Sequence, residues 1–388
     1  MKPSIFEVLN WVFSWVSSWI LSWIVPKDPK LLLVSGRQFG GNTKPILLEA
    51  ESFGLNAVWI TNRVEVLKLN DKKIVSAYSL KGLWYGARAS KVVFTHTVGD
   101  FEPLVFPSSR VEYYNVWHGM PMRKISTMDP DFWKRKHAKS NVREMKRYTG
   151  MFVSSSMMQD IFHKTFGIKL EKIYVTGQPR TDDLVRGNDF CFDHLYDPPL
   201  PVGHRKILYC PTWREGKPVT LFPFPDKNIE ELQSKLEELN AVIYVRTHPN
   251  DPGRWLKREK RIVPFQGDIA PEVTDALSRF DVLITDYSSV FYDFLLLNRP
   301  TIFFSYDLDD YSRSPGFYMP YKEITAGPHP KTQREFVGEL KLFLNKTDNY
   351  SGDRKKIYDK MYTYSDDLAT SRVLSIMKNN VLLKQDKT

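Results

Sequence analysis

Apolar, β-rich runs alternate with helical patterns along most of this 388-residue chain, and this alternation restricts the fold to the α/β class. In the first half the pattern predicts strands within 30–36, 56–61, 73–78, 91–96, 111–119, 150–156 and 172–177, and helices within 43–53, 79–89, 138–148 and 156–166. Nearly continuous apolar strands separated by helices predict a parallel sheet that is covered on both faces.

The second half repeats the alternation after a proline-rich stretch, 196–205, that favours neither helix nor inner strand. It predicts strands within 206–213, 241–249, 281–289 and 300–305, and helices within 228–239, 273–280 and 291–298. We therefore predict two Rossmann-like domains that face a cleft. The predicted segments are a helix at 1–26, an N-terminal acceptor domain at 27–200, a C-terminal donor domain at 201–345, and helices at 346–388 that pack back across both domains.

The stretch "WVFSWVSSWILSWIV", residues 11–25, has an apolar face and a serine face when wound as a helix. Its tryptophans, Trp11, Trp15, Trp19 and Trp23, fall on the apolar face. Fifteen residues reach about 22 Å, against about 30 Å of bilayer hydrocarbon, and tryptophan prefers the headgroup level. We predict a helix that lies in the membrane interface. A core or partner-packing helix, a tight span and a signal segment are the alternatives.

The charge balance favours an anionic partner: 55 Lys and Arg against 45 Asp and Glu give a net charge of +10. Basic residues are concentrated in 123–147 and in "RWLKREKR", 254–261. No zinc-finger, RNP or helix-turn-helix pattern accompanies them, so we predict a membrane surface and no nucleic acid. The two cysteines, Cys191 and Cys210, exclude a disulfide scaffold and have no metal-ligand spacing.

Residues suited to anion binding and proton transfer follow the predicted strands, where open α/β sheets bind their ligands. They are His118, Gly119, Arg180, Pro211, Thr212, Arg214, Arg246, His248, Ser288, Ser289 and Asp293. Arginine binds phosphate, and histidine exchanges protons near neutral pH. Ser288 and Ser289 at a helix start suit an anion, although serine there is also an ordinary cap.

Two other enzyme motifs are missing from the sequence. There is no P-loop and no G-x-S-x-G nucleophile elbow. The spacing of Asp307 and Asp309 matches the D-x-D of metal-dependent nucleotide-sugar enzymes, but a single such pair in an acidic loop is weak evidence. We predict neither a metal nor another cofactor.

The motifs "WHGMPMRK", "PTWRE", "RTHP", "TDYSSVFYDF" and "YDLDDYSRSPGFY", in this order, resemble the CDP-glycerol glycerophosphotransferases of teichoic-acid and capsule synthesis. The resemblance covers roughly residues 30–375. It implies a GT-B-like pair of domains, peripheral (monotopic) attachment to the cytoplasmic face of the bacterial membrane, and His118 and His248 as catalytic residues. The substrate-binding residues that it implies are Gly119, Met120, Pro121, Met122, Arg180, Pro211, Thr212, Arg246, Thr247, Ser288, Ser289 and Asp293.

The resemblance further implies transfer of glycerol phosphate from CDP-glycerol to a lipid-linked saccharide or poly(glycerol phosphate) acceptor, with release of CMP. The alternatives are a GT-B glycosyltransferase and a CDP-ribitol-type transferase that uses another donor. A membrane-bound scaffold would have no use for histidines at strand ends. The sequence leaves open the choice between primase and polymerase, the identity of the catalytic base and the oligomeric state.

Overall fold

The computed structural model describes residues 5–214, 218–248, 251 and 257–385. The chain forms two compact units. The first comprises 1–119, 132–182 and 366–388, and the second comprises 120–131 and 183–365. The motif "WHGMPMRK" is therefore divided between the units after Gly119.

The first unit is built on a parallel sheet, in which seven strands fall within the described residues in the order β3-β2-β1-β4-β5-β6-β7. The strands are β1 (Asp28–Val34), β2 (Asn56–Thr61), β3 (Ile74–Ser76), β4 (Ala89–Phe94), β5 (Glu112–Asn115), β6 (Gly150–Val153) and β7 (Ile173–Val175). The α-helices are α1 (Ile5–Ile24), α2 (Thr43–Glu49), α3 (Val64–Leu67), α4 (Leu80–Arg88), α5 (Ala138–Met145), α6 (Ser156–Phe166), α7 (Asp182–Arg186, whose first residue ends the first unit) and α13 (Ala369–Gln385). Val34 pairs with Trp59 on one side and Val93 on the other, which fixes the register of the central strands.

The second unit repeats the architecture with a five-stranded parallel sheet, again counted over the described part of the chain, in the order β10-β9-β8-β11-β12. Its strands are β8 (Arg205–Cys210), β9 (Ala241–Val245), β10 (Ile262–Pro264), β11 (Val282–Thr285) and β12 (Thr301–Phe303). Its α-helices are α8 (Ile229–Glu238), α9 (Val290–Leu295), α10 (Leu308–Arg313), α11 (Gln333–Leu344) and α12 (Ser351–Met361).

Both cores form where the predicted apolar runs become strands. In the first unit, buried Leu32 and Val34 of β1 pack in one cluster with Ile46 of α2 and Val373 of α13. In the second, β8, β9 and β11 share a cluster with α8 and α11. The prediction of an α/β chain with parallel sheets is thus confirmed, and the sheet order brings the carboxyl ends of neighbouring strands to one edge.

Several elements differ from the local predictions. Strand β10 was not predicted, because it is only three residues long and directly follows a basic run, so the sequence shows no apolar stretch of strand length there. The segment predicted as a helix at 273–280 is a 3-10 helix, Val273–Arg279. The short helix α10 lies where an acidic loop was expected.

The last helix, α13, returns to the first unit, where a carboxylate caps it. Asp182 accepts hydrogen bonds from the backbone N–H groups of Ala369 (3.0 Å) and Thr370 (2.8 Å), and from the Thr370 hydroxyl (2.6 Å). A carboxylate at a helix start binds otherwise unpaired N–H groups and suits the helix dipole.

Helix α1 packs against α4 of the same unit with its serine face inward. Ser14, Ser18 and Ser22 are at most 1% exposed. The Ser18 hydroxyl accepts a hydrogen bond from the backbone N–H of Val105 at 2.8 Å, and Arg110 donates to the last carbonyls of the helix. The small serine side chains let α1 lie close to the domain, and Arg110 complements the helix C-terminus.

The opposite face of α1 is apolar and open. Trp11, Trp15, Trp19 and Trp23 are 38–49% exposed, and Phe13 and Ile24 are more exposed still. None of the described helices combines the length and apolar character needed to cross a bilayer.

Candidate active site

The loop that follows β5 presents His118 on a backbone that is unusually constrained. Trp117 has φ +49° and Gly119 has φ +149°, and a non-glycine residue at positive φ is held at a cost of about 1–3 kcal/mol. Asn42 donates to the carbonyls of Val116 (2.9 Å) and Trp117 (3.0 Å). These bonds fix the loop from the N-cap position of α2, so the strained turn keeps a single geometry.

A side chain in place of Gly119 would strain the backbone and displace Arg180. The φ of Gly119 lies where side chains are rarely tolerated, and a Cβ there would be 2.8 Å from Nη2 of Arg180. Arg180 donates from Nη1 to the His118 carbonyl at 2.7 Å and from Nε to Gln178 at 3.1 Å. Arg180, predicted to contact substrate, therefore also holds the backbone of His118.

The exposed ring of His118 stacks on His96, with centroids 4.2 Å apart and an interplanar angle of 3°. The Trp117 ring lies 4.4 Å from it at 32°. Two aromatic neighbours and a fixed backbone restrict the orientations open to the imidazole. Such restriction is what a proton-transfer group needs.

His96 is a functional candidate that the sequence reasoning missed. It lies two residues beyond β4, and Nδ1 lies 2.8 Å from the Thr95 hydroxyl. Burial, then His118, Arg37 and Arg63, lower the pKa of His96 to about 2. His96 is therefore neutral under physiological conditions. The only sequence signal for it was its place at the end of a predicted strand.

In the second unit, Thr212 lies just beyond β8 and is held by a carboxylate that follows β11. Asp286 Oδ1 accepts from the Thr212 backbone N–H (2.8 Å) and hydroxyl (2.6 Å). Oδ2 accepts from Arg214 at 3.0 Å. Asp286 thus orients Thr212, and Arg214 orients Asp286.

Arg214 is enclosed instead of projecting towards a ligand. The guanidinium group donates to Asp307 at 2.8 and 3.0 Å, and the side chain is only 13% exposed. Three aromatic rings surround it, with centroids 5.1–5.5 Å from the guanidinium carbon: those of Tyr287, Tyr306 and Tyr311. Burial would lower the pKa of Arg214, but Asp307 and Asp286 raise it above its ordinary value. The predicted substrate contact is, in this structure, a buried cation between two carboxylates.

Arg246, just beyond β9, is bound to backbone oxygens. It donates to the carbonyls of Ala270 (2.6 Å), Pro271 (2.9 Å) and Gln266 (3.4 Å), and burial lowers its pKa. These bonds hold the loop at 266–271 against the strand end. Thr247 is buried, whereas His248 is exposed and stacks on Trp213 at 5.7 Å.

Ser288 and Ser289 precede α9, as predicted. Ser289 occupies the N-cap position and forms no side-chain cap bond, and Ser288 Oγ accepts from the Val290 N–H at 3.4 Å. Asp293 is buried within α9. The two hydroxyls are only partly used by the helix, which leaves capacity for a ligand.

The remaining predicted positions fall in three places. Pro211 lies beside Thr212, and Met120, Pro121 and Met122 open the second unit's 120–131 segment, with both methionines buried. The basic run 254–261 lies partly outside the described residues. Within the described part of the chain, no group of three His, Cys, Asp or Glu is placed to hold a metal ion.

Comparison with known proteins shows what this chain is similar to. The sequence model of the family described as "CDP-Glycerol:Poly(glycerophosphate) glycerophosphotransferase" matches residues 18–379. The teichoic acid glycerol-phosphate transferase of Staphylococcus aureus is 27% identical over 87% of this chain and 89% of its own. The teichoic acid glycerol-phosphate primase of Bacillus subtilis is 26% identical over 91% and 92%.

Another relative is named for a ribitol-phosphate polymer. This teichoic acid poly(ribitol-phosphate) polymerase of Bacillus spizizenii is 30% identical over 70% of this chain. The chain spans only 44% of that polymerase. Among solved structures, the wall teichoic acid polymerase TagF shares the fold, with a TM-score of 0.78, 23% identity and coverage of 98% of this chain and 97% of that one.

Proposed function

The chain belongs to the CDP-glycerol:poly(glycerophosphate) glycerophosphotransferase family, and on this premise we propose that it transfers glycerol phosphate from CDP-glycerol to an acceptor hydroxyl. The observation that carries the proposal is the exposed His118 imidazole, stacked on His96 and carried on a strained, hydrogen-bonded loop. The acceptor is a lipid-linked saccharide or a poly(glycerol phosphate) chain, and the product enters a teichoic-acid or capsule polymer.

In the proposed step, the acceptor oxygen attacks the β-phosphorus of CDP-glycerol while a ring nitrogen of His118 takes the hydroxyl proton. The new P–O bond forms as the bond from that phosphorus to the bridging oxygen breaks. The bridging oxygen and its electron pair leave with CMP. A positioned general base contributes about 10²–10⁴ in rate, and the neutral His96 beneath it adds no positive charge that would oppose protonation of His118.

The donor contacts proposed in the second unit are Pro211, Thr212, Thr247, His248, Ser288, Ser289 and Asp293. Thr212 is already oriented by Asp286, and the serine hydroxyls lie at a strand end. We also propose as substrate contacts Gly119 and Arg180 of the first unit and Met120, Pro121 and Met122 of the second. We assign Arg214 and Arg246 to the support of this surface, because their guanidinium groups bind Asp307, Asp286 and backbone carbonyls. The proposed step uses no cofactor.

We also propose that the protein acts as a peripheral protein at the cytoplasmic face of the bacterial membrane. The support is α1, whose serine face is buried and whose tryptophan face is open. An apolar stripe of this kind is unfavourable in water and suits the interface of a bilayer.

The function is tested by incubating the purified protein with CDP-glycerol, CDP-ribitol or UDP-sugars and lipid-linked acceptors, and measuring nucleotide release. CMP release from CDP-glycerol that depends on acceptor and on His118 is expected. CMP release only from CDP-ribitol would support the ribitol alternative, which the ribitol-phosphate polymerase relative favours. UDP release without CMP would refute both.

A further inference from the structure

Two arginines of the first unit have so far been given no role beyond their effect on the pKa of His96. Arg37 lies three residues beyond β1, Arg63 lies two residues beyond β2, and both side chains are exposed. Within the described residues, neither guanidinium group makes a hydrogen bond or an ion pair. They are uncommitted cations, unlike Arg180, Arg214 and Arg246.

The sheet order places these arginines in one row with the histidine pair. Strands β2, β1, β4 and β5 are consecutive neighbours and all parallel. Their carboxyl ends are followed in turn by Arg63, Arg37, His96 and His118. At about 4.8 Å per strand the row is about 14 Å long, which is within reach of one extended polar ligand.

Electrostatic contacts agree with this placement. Arg37 and Arg63 both act on His96, whose pKa is lowered first by burial and then by His118 and these two arginines. Both also oppose the rise that burial causes in the pKa of Asp100. Asp100 is a carboxylate on which both arginines act, so at this point of the row two cations face one acidic group.

We propose that Arg37 and Arg63 bind a phosphate group of the acceptor and thereby hold its hydroxyl beside His118. This inference rests on the proposed function. Guanidinium groups bind phosphodiesters and diphosphates through paired N–H donors. Arg37 and Arg63 follow β1 and β2, which lie two and three strands from β5 in the sheet. From these positions they would restrain the acceptor in the way that makes a bimolecular attack effectively unimolecular.

The phosphate can come from a terminal polyol phosphate or from the diphosphate of a lipid carrier. The experiment therefore compares three acceptors: one ending in glycerol phosphate, one with phosphate only at its lipid-linked end, and a neutral saccharide. The variants are Arg37→Gln, Arg63→Gln and their combination. Lys72→Gln is the matched control, because Lys72 is exposed on the same unit but precedes β3, at the amino edge of the sheet.

We expect each single variant to raise KM for one phosphate-bearing acceptor at least about tenfold, a change that fits the loss of a charged hydrogen bond. The kcat, the Kd for CDP-glycerol and turnover on the neutral saccharide should stay within about twofold, and Arg37→Lys should restore part of the affinity. The acceptor that responds identifies the source of the phosphate.

Three results would overturn the inference: unchanged KM for both phosphate-bearing acceptors, an equal rise for the neutral saccharide, or an equal loss of CDP-glycerol affinity. Binding of a glycerol-phosphate oligomer and of the lipid-linked acceptor, measured by calorimetry without donor, separates this inference from the proposed function. If the wild-type protein binds either ligand through Arg37 and Arg63 but transfers nothing, the transferase proposal fails and the anion site remains. If it binds neither, the anion site is refuted.

Discussion

The imidazole rings of His96 and His118 lie face to face, 4.2 Å apart and 3° from parallel. The His96 ring lies beneath the surface and is neutral, whereas His118 is exposed. A stacked neutral ring fixes the plane of its neighbour without adding charge. The pair therefore separates two tasks, since His118 is the proposed proton acceptor and His96 is a positioning residue.

The first prediction concerns the proposed catalytic histidines. His118→Ala and His248→Ala should each lower kcat at least about 10²-fold, because the first removes the proposed proton acceptor and the second removes an imidazole proposed to contact the donor. Nucleotide release, with circular dichroism to confirm folding, is the measurement. A folded variant with near-normal turnover would exclude that histidine from the mechanism.

The second prediction separates positioning from proton transfer. His96→Phe keeps a stacking ring and should lose less than about tenfold in kcat, whereas His96→Ala should lose more. Because His96 does not titrate near neutrality, the acid limb of the kcat profile should stay at the same pH in His96→Phe. A displaced acid limb in that variant would mean that His96 itself exchanges the proton.

The third prediction concerns stability at low pH. The pKa of His96 falls from 6.5 to about 2 on folding, so below pH 6.5 the unfolded chain binds a proton that the folded chain does not. Stability should therefore decline as pH falls from about 6.5 towards 2. His96→Phe should flatten part of this decline in denaturant melts. His329→Phe is the matched control. Burial, then Lys331 and Lys322, lower the pKa of His329 only to about 4. Replacing His329 should therefore flatten the decline in stability only above about pH 4.

The sequence predicted the sheets well because their strands are buried apolar runs bounded by turn residues. The sequence could not show which groups Arg214 and Arg246 contact within the fold, since a guanidinium suits a phosphate and a protein oxygen equally. Their partners lie 93 and 24 residues further along the chain, at Asp307 and Ala270. Likewise, nothing in the sequence pairs His96 with His118, because the stack depends on strand adjacency and on the strained turn at Trp117.

The fourth prediction tests the serines before α9. Replacing Ser288 and Ser289 with Ala should weaken CDP-glycerol binding about tenfold in calorimetry, because two hydroxyls proposed to contact the diphosphate are lost. Thr332→Ala is the control, since Thr332 caps α11 by accepting from the Glu335 N–H at 3.1 Å. It should cost about 0.5–2 kcal/mol of stability and leave affinity unchanged. Unchanged affinity for CDP-glycerol in the serine variant would mean that Ser288 and Ser289 only begin helix α9 and do not contact the donor.

The fifth prediction concerns α1, where the structure dictates the form of the test. Deleting the helix would also uncover the surface beneath Ser14, Ser18 and Ser22 and leave the Val105 N–H without its partner. Replacing Trp11, Trp15, Trp19 and Trp23 with Gln keeps the serine face and removes only the exposed rings. Burying an apolar side chain of this size contributes about 1.5–3 kcal/mol, so the fraction of protein sedimenting with vesicles should fall at least about tenfold.

Turnover on a short soluble acceptor should be unchanged in this tryptophan variant, because none of the proposed substrate contacts lies on α1. Leu170→Gln is the control, since Leu170 is an exposed apolar residue of the same unit that lies outside both α1 and the basic segment 123–147. High salt should weaken the part of the binding that depends on the basic residues at 123–147 and spare the part that depends on the tryptophans. If the tryptophan variant sediments as well as the wild-type protein at high salt, the exposed face of α1 is not the membrane contact, and a protein partner becomes the explanation for its apolar surface.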